Sequence, residues 1–465
     1  MCEKNPLGTQ PISKLLLKFA IPSITATLVG SLYNIVDQIF IGQGIGYLGN
    51  AATNVSYPFS TICLAIALLL GIGSASRFSL SLGQGEKEHA ARIAGNGVVL
   101  MVVFGMVYLI LGELFLTPLL QLFGSTPDVL PYAQTYAGVT MLGMPFLIVT
   151  NGISALIRAD GRPTYSMVCM VTGAVINTIL DPIFIFTFGW GMFGAALATI
   201  LGQILSCLLA LLYLPRFRTI QLTPGCFRGA LKGCLPTLYA GSSSSLNQVA
   251  ITVVQIVLNN SLTYYGASSV YGSDIPLAAC GIVMKTNAIL LSIIVGISQG
   301  VQPIIGFNYG AGQYTRVKKT LKMAIGWNLV ISAIGFCLFQ FCPAFILSLF
   351  GSGDALYMEF AVLFMRTFLF MVLLNGVQLL SSNFFTAIGQ APKGLFLAMT
   401  RQIFFLIPLL LLLPLWMGYS VYWCPGPAPI LLRLWYRLLW YANSLPACPL
   451  TVKPIKARRK RHKLL

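Results

Sequence analysis

Residues 163–188 read PTYSMVCMVTGAVINTILDPIFIFTF, an apolar run with one acidic residue, Asp181, and no basic residue. At about 1.5 Å per residue, a helix of this length crosses a hydrocarbon core of about 30 Å. A carboxylate inside lipid costs roughly 2.5–3.5 kcal/mol, so an acid at this depth is usually paired or functional. The run therefore predicts a membrane-spanning helix that holds a buried polar site.

The rest of the chain has the same apolar character. Hydrophobic residues make up 57% of the 465 residues and charged residues only 9%, with a mean hydropathy of +0.82. A soluble domain usually carries about 25% charged residues, so a soluble fold is excluded. We predict an all-α polytopic membrane protein with a doubtful twelfth span and eleven spans at 14–41, 53–77, 93–117, 130–157, 163–188, 191–214, 235–265, 276–300, 318–347, 357–387 and 393–416.

Basic residues fall in alternate connections between these spans. The connections near 42–52, 118–129, 189–190, 266–275 and 348–356 contain no Lys or Arg. The net charge of +18 therefore reflects the positive-inside rule rather than a nucleic-acid partner, and both termini are expected in the cytoplasm if the C-terminal segment spans. We expect a multi-pass protein of the plasma (inner) membrane, without a removable signal peptide. Lys285 and Arg366 lie inside spans and either reach the interface or face an aqueous cavity.

Short motifs recur at a nearly constant offset along the chain. LFGS at residues 122–125 returns at 349–352, and GRP at 161–163 corresponds to GQAP at 389–392. An even number of spans in each copy predicts two parallel six-helix lobes around a central cavity. The predicted units are an N-terminal lobe at 1–214, a cytoplasmic loop at 215–234, a C-terminal lobe at 235–417 and an atypical segment at 418–465.

Two deep carboxylates carry the predicted chemistry, Asp37 in the first span and Asp181 in the fifth. Asn177 precedes Asp181 by four residues and so shares its helix face. Pro182 has no backbone N–H and leaves the Thr178 carbonyl without its helical partner. These oxygens suit a hard cation such as Na⁺, and the two acids are equally able to share a proton. The plainer alternative is that each Asp hydrogen-bonds neighbouring helices.

The second lobe keeps the helix break but lacks the acid, because Ile407-Pro408 stands where Asp181-Pro182 stands in the first. Cation binding is therefore expected in the N-terminal lobe. Adaptable apolar and amide side chains in the second lobe suit a drug instead. The predicted substrate contacts are Gln255, Met284, Asn375, Gln378 and Arg401.

Enzyme motifs are missing from the sequence. It contains no H-E-x-x-H motif, no phosphate-binding P-loop and no nucleophile elbow with a partner His. The cysteines form no C-x-x-C or metal-binding pattern and are interpreted as small apolar residues. We therefore predict no enzymatic activity and no cofactor other than a coupling Na⁺ or H⁺.

The chain resembles the multidrug and toxic compound extrusion (MATE) family over about residues 10–416. The resemblance rests on Asp37, on Asn177-x-x-x-Asp181-Pro182, and on QGVQPIIGFNYGA at 299–311 and RQIFFLIP at 401–408, which look like its MepA-like branch. It implies an N-lobe cation site and a first helix that bends at Pro22. It also implies export of cationic or amphipathic drugs by a monomer, in exchange for Na⁺ or H⁺, among membrane lipids. The cation-site residues it implies are Asp37, Asn177, Asp181 and Thr199, with Tyr136 and Asn151 lining the site.

The C-terminal segment departs from this family. WCPGPAP at 423–429 interrupts the expected last span, because each proline removes a backbone donor that lipid cannot replace. A frameshift near Gly418 is the leading hypothesis for this segment. Two alternative functions stay open, a lipid or lipid-linked oligosaccharide flippase of the same superfamily and a passive channel. A channel would not need the buried carboxylates.

Overall fold

The computed structural model describes residues 5–228, 230–266, 271–272, 274–349, 355–400, 402–403 and 407–408. Within these ranges the chain forms helices joined by turns and loops, and it contains no β-strand. Eight helices of this part are long and apolar enough to cross a membrane, and a bent pair within 355–387 gives a ninth. The predicted all-α polytopic membrane fold is confirmed. The broken twelfth span and the frameshift expected near Gly418 lie outside the described residues.

The helices are numbered here in chain order. The N-terminal half contains α1 Pro6–Thr9, α2 Ile12–Gly44, α3 Tyr47–Gly83, α4 Lys87–Leu114, α5 Leu116–Leu122, α6 Leu130–Ala159, α7 Pro163–Pro182 and α8 Gly191–Leu211. The C-terminal half contains α9 Ala230–Gly266, α10 Asp274–Gly310, α11 Tyr314–Phe341, α12 Pro343–Ser348, α13 Ala355–Phe368, α14 Val372–Ala387 and α15 Ala391–Met399.

The order and lengths of the helices repeat between the halves. The 28-residue α4 is followed by the short α5, just as the 28-residue α11 is followed by the short α12. Three of the predicted spans, 93–117, 318–347 and 357–387, are therefore broken into two helices each. Pro343 at the start of α12 cannot extend the α11 hydrogen-bond ladder, and a 3₁₀ turn at Leu369–Met371 separates α13 from α14. The lobe boundaries drawn from the sequence stay a prediction.

Matching turns mark one end of the bundle. Gly85 and Gly312 both have positive φ, at 85° and 72°, and Gly161 and Gly389 form a second such pair at 92° and 79°. Positive φ is open to glycine because it has no Cβ. These turns lie beside the basic connections, and we call this end of the bundle the basic end. The other end, where α2 finishes and α10 begins, is called the opposite end.

The two halves pack closely near the basic end. A Cβ on Gly83 would lie 2.1 Å from the Phe307 carbonyl oxygen, and one on Gly310 would lie 2.2 Å from the Leu80 carbonyl oxygen. The backbones of α3 and α10 therefore touch because neither glycine has a side chain. Apolar residues from α2, among them Leu16 and Ala20, continue this contact into a buried cluster with α10.

Asp160 lies in the turn after α6 and is buried at 4% exposure. Its carboxylate accepts hydrogen bonds from the Tyr213 hydroxyl at 2.7 Å and from the backbone N–H groups of Arg218 and Thr219, both at 3.0 Å. These partners belong to the connection after α8. This carboxylate therefore anchors the segment between the halves to the N-terminal half.

Candidate functional site

The site lies between α2 and α7, in the half of α2 nearer the opposite end. Asp37 is on α2 and Asp181 is next to the last residue of α7, and their carboxyl groups are within hydrogen-bonding range of each other. Asp37 is 7% exposed and Asp181 is fully buried. The packing of these two helices thus brings together two acids that are far apart in the sequence.

Asn177 joins this pair to a third helix. Its side-chain amide donates to Asp181 Oδ1 at 3.2 Å and to the Thr199 hydroxyl oxygen on α8 at 3.2 Å. The Thr199 hydroxyl donates to the Ala195 carbonyl at 3.1 Å, and the Tyr136 side chain of α6 lies within hydrogen-bonding range of Thr199. Four helices of the N-terminal half therefore supply polar side chains to one buried cluster.

Tyr33 belongs to this cluster although the sequence analysis did not select it. It lies close enough to Asp37 and Asp181 to interact electrostatically with both carboxyl groups. It precedes Asp37 by four residues, so both side chains stand on one face of α2. The same spacing led from Asp181 to Asn177, and applied to Asp37 it identifies Tyr33.

Three oxygens of the cluster accept no hydrogen bond from any described residue. They are Asp37 Oδ1, Asn177 Oδ1 and Asp181 Oδ2. A buried polar atom without a partner costs free energy, so such a group usually meets water or a ligand. Carboxylate and amide oxygens are hard donors that suit Na⁺ or a proton. Among the described residues there is no group of three or more His, Cys, Asp or Glu side chains suited to a metal.

Pro182 ends the α7 ladder beside this cluster. The helix continues from Ile183 to Thr187 as a π-helix, and the Phe188 N–H donates to the Ile183 carbonyl at 3.0 Å. Such π-turns often occur at functional sites because they redirect backbone carbonyls. Pro22, the predicted bending point, is buried inside α2, and α2 is one continuous helix from Ile12 to Gly44.

The remaining predicted side chains lie elsewhere or have other contacts. Asn151 donates its amide to the Leu147 carbonyl of its own helix at 2.9 Å, so its place in the cation site stays a prediction. Arg366 is exposed and donates from Nε to the Gln340 carbonyl at 3.0 Å, across from α13 to α11.

The predicted substrate contacts are spread over three helices of the C-terminal half. Gln255 on α9 and Asn375 on α14 are half-buried, and Met284 on α10 packs against an apolar core cluster of that half. Gln378 donates its amide to the Leu397 carbonyl of α15 at 2.9 Å. Arg401 lies outside the described residues. The role of this set in substrate binding stays a prediction.

The chain is similar in sequence to proteins of a known family. The sequence profile described as MatE matches residues 22–183 and 244–412. Multidrug export protein MepA of Staphylococcus haemolyticus is 26% identical over 407 residues, which cover 86% of this chain and 87% of that protein. MepA of Staphylococcus aureus is 25% identical over 406 residues, covering 87% of each chain.

Solved structures agree with this assignment. The MATE multidrug transporter DinF-BH, solved as a ligand complex, is 31% identical, with a TM-score of 0.83 over 94% of this chain and 97% of that one. An outward-facing multidrug resistance MATE family transporter of the MOP superfamily is 23% identical, with a TM-score of 0.84 over 95% of this chain and 99% of that one. At 23% identity, the similarity to this second structure shows that the two chains share a fold.

Proposed function

Because the chain belongs to the MatE family of multidrug transporters, we propose that it is a secondary active exporter. It exchanges cationic or amphipathic drugs for Na⁺ or H⁺ by alternating access. One observation carries this proposal, namely the buried contact between Asp37 and Asp181 with unpartnered oxygens on both residues. Neighbouring buried carboxylates repel each other when both are charged, so they favour a bound cation or proton.

Helix α2 gives a physical link between the cation and the substrate path. Asp37 lies on its half nearer the opposite end, while Ile24 and Thr27 of the same helix contact α10 of the C-terminal half. A cation that neutralises the acid pair changes the packing of α2 on α7. The continuous helix transmits that change to the contact with α10, which separates the two halves of the transporter.

The driving force is adequate for export. When the drug carries no net charge, one cation that crosses a 100 mV potential releases about 2.3 kcal/mol, which supports roughly a fiftyfold concentration ratio of drug. When the drug is itself a monovalent cation, a one-for-one exchange moves no net charge and draws on the concentration gradient of the ion. The sequence contains 29 Lys and Arg residues, and the positive-inside rule directs the basic end to the cytoplasm. In that orientation the close packing of α3 and α10 shuts the cytoplasmic side. The transporter is proposed to act as a monomer in the plasma membrane without a cofactor.

The experiment is dye efflux from cells that express the protein, measured with and without Na⁺ and with an uncoupler. We expect export that stops when the relevant gradient is removed. Loss of efflux without Na⁺ identifies a sodium exchanger, and loss with the uncoupler alone identifies a proton exchanger. Efflux that continues when both gradients are absent would refute coupled export.

A further inference from the structure

One face of α10 packs against α2 in the middle of the bundle. The Thr27 hydroxyl donates to the Ser292 carbonyl at 2.7 Å, and the Ser31 and Ser292 hydroxyls are hydrogen-bonded to each other. One turn towards the basic end, a Cβ on Gly296 would lie 2.5 Å from the Cα of Ile24. The face of α10 that carries Ser292 and Gly296 is therefore the face that meets the N-terminal half.

Lys285 stands on this same face of α10. It precedes Ser292 by seven residues, which places it two helical turns, or about 10 Å, nearer the opposite end. Gly281, one further turn away, has open space where a Cβ would stand, and Ala288 is exposed. The face of α10 that is closed at Ser292 therefore opens around Lys285.

The facing wall of α2 opens in the same direction. Beyond Ser31, Asn34 is exposed and Gln38 is half-buried. Gln38 follows Ser31 by seven residues, and Lys285 precedes Ser292 by seven, on helices that run in opposite directions. The two side chains therefore lie at similar heights on α2 and α10. We call the space between the exposed faces of these helices, beyond the Ser31–Ser292 contact, the cleft.

Lys285 brings a positive charge to this cleft without a fixed counter-ion. Its side chain is half-buried, and no carboxylate in the described part of the chain interacts with its amine. Asp37, the acid of α2, is buried and meets Asp181 within its own half. A lysine at membrane depth is costly unless it faces water or an anion, so a negatively charged group entering the cleft has one evident partner.

We propose that Lys285 is a substrate-binding residue that selects amphiphiles carrying a carboxylate, zwitterionic drugs among them, over permanent cations that lack one. The assignment rests on the proposed export function and names the substrate class of that same cleft. Each half of the protein then binds a ligand group of opposite charge. The acid pair of the N-terminal half holds the coupling cation, and the ammonium group of α10 holds the substrate anion.

The test uses two dyes that differ in one group, a xanthene dye with a free carboxylate and the methyl ester of that dye. Lys285→Gln should reduce export of the free acid about tenfold relative to the ester, because a charge-assisted hydrogen bond is lost. Lys285→Arg should keep the wild-type preference, and Lys285→Glu should reverse it. Lys319→Gln, which removes an exposed lysine from α11, is the matched control and should change neither dye.

An unchanged ratio of acid to ester export in Lys285→Gln, at matched expression, would overturn the assignment. Equal loss of both dyes would also overturn it, since that result indicates a structural role. If the wild-type protein exports neither dye, the export function fails, and the assignment is then decided by binding of both dyes to purified protein. Weaker binding of the acid alone to Lys285→Gln supports Lys285, and equal binding contradicts it.

Discussion

Gln302 of α10 donates a hydrogen bond of 2.7 Å to the hydroxyl of Ser76 on α3, and both side chains are buried. This bond joins the two halves of the chain about two helical turns further from the basic end than the close backbone contacts of Gly83 and Gly310. Alternating access requires that these contacts break when the basic end opens. They therefore stabilise the state in which that end is closed.

Adding a side chain at this contact should open the basic end. Gly310→Val places atoms against the Leu80 carbonyl, and overpacking of this kind typically costs about 1–3 kcal/mol. Spin labels at the exposed positions Glu86 and Gln313 should then show a longer distance distribution. Gly281→Val, on the same helix but facing open space, is the control. Identical distributions for both variants would mean that the contact does not set the conformation.

Arg316 should fix the N-terminal segment to the C-terminal half. It donates to the Leu7 carbonyl at 3.2 Å, to the Gln10 carbonyl at 2.7 Å and to Asn308 Oδ1 at 2.9 Å. Arg316→Ala should lower stability by about 2 kcal/mol, since hydrogen bonds to charged groups are among the stronger ones. The thermal midpoint of purified protein measures this loss. Lys318→Ala changes an exposed neighbour. An equal decrease of the thermal midpoint in that variant would show that the Arg316 hydrogen bonds do not fix the N-terminal segment.

Asp160→Asn should release the connection between the halves. The change removes a charged acceptor from hydrogen bonds with Tyr213, Arg218 and Thr219 and should cost about 2 kcal/mol. Cys226, which is buried in this connection at 7% exposure, should then react faster with a maleimide, as located by mass spectrometry. The control is Asp128→Asn, an exposed loop carboxylate. Unchanged labelling of Cys226 would show that Asp160 does not hold the connection in place.

Two amides of the C-terminal half should behave differently when truncated. Gln378 donates to the Leu397 carbonyl, so Gln378→Ala should weaken the packing of α14 on α15 and reduce export of every drug by a similar factor. Gln255→Ala should instead change the order of preference among drugs. Resistance profiles across a drug panel at matched expression distinguish the two. An equal loss of resistance to every drug in Gln255→Ala would show that Gln255 supports the fold rather than binding the drug.

The sequence was sufficient to predict the acids of the site because their rarity within apolar spans singles them out. Asn177 followed from helix spacing, and the same rule would have reached Tyr33. The contact between Asp37 and Asp181 depends on how α2 packs against α7. A single sequence does not encode that packing in any local pattern.

Asp160 shows where sequence reasoning stops. Its hydrogen-bond partners lie more than fifty residues further along the chain, and the position after α6 looks like an ordinary turn. Nothing near Asp160 in the sequence distinguishes a buried anchor from a solvated acid. The break between α13 and α14 was missed for a similar reason, since no proline or glycine marks Leu369–Met371.

The most direct test of the account is transport by the double variant Asp37→Asn, Asp181→Asn in proteoliposomes with an imposed ion gradient and membrane potential. Asparagine keeps the shape of each side chain and removes the charge, so the protein should fold and still bind dye. The account predicts that uphill export is abolished in this variant, while Asp128→Asn exports as the wild type does. Wild-type accumulation of dye by the double variant would contradict coupling through Asp37 and Asp181.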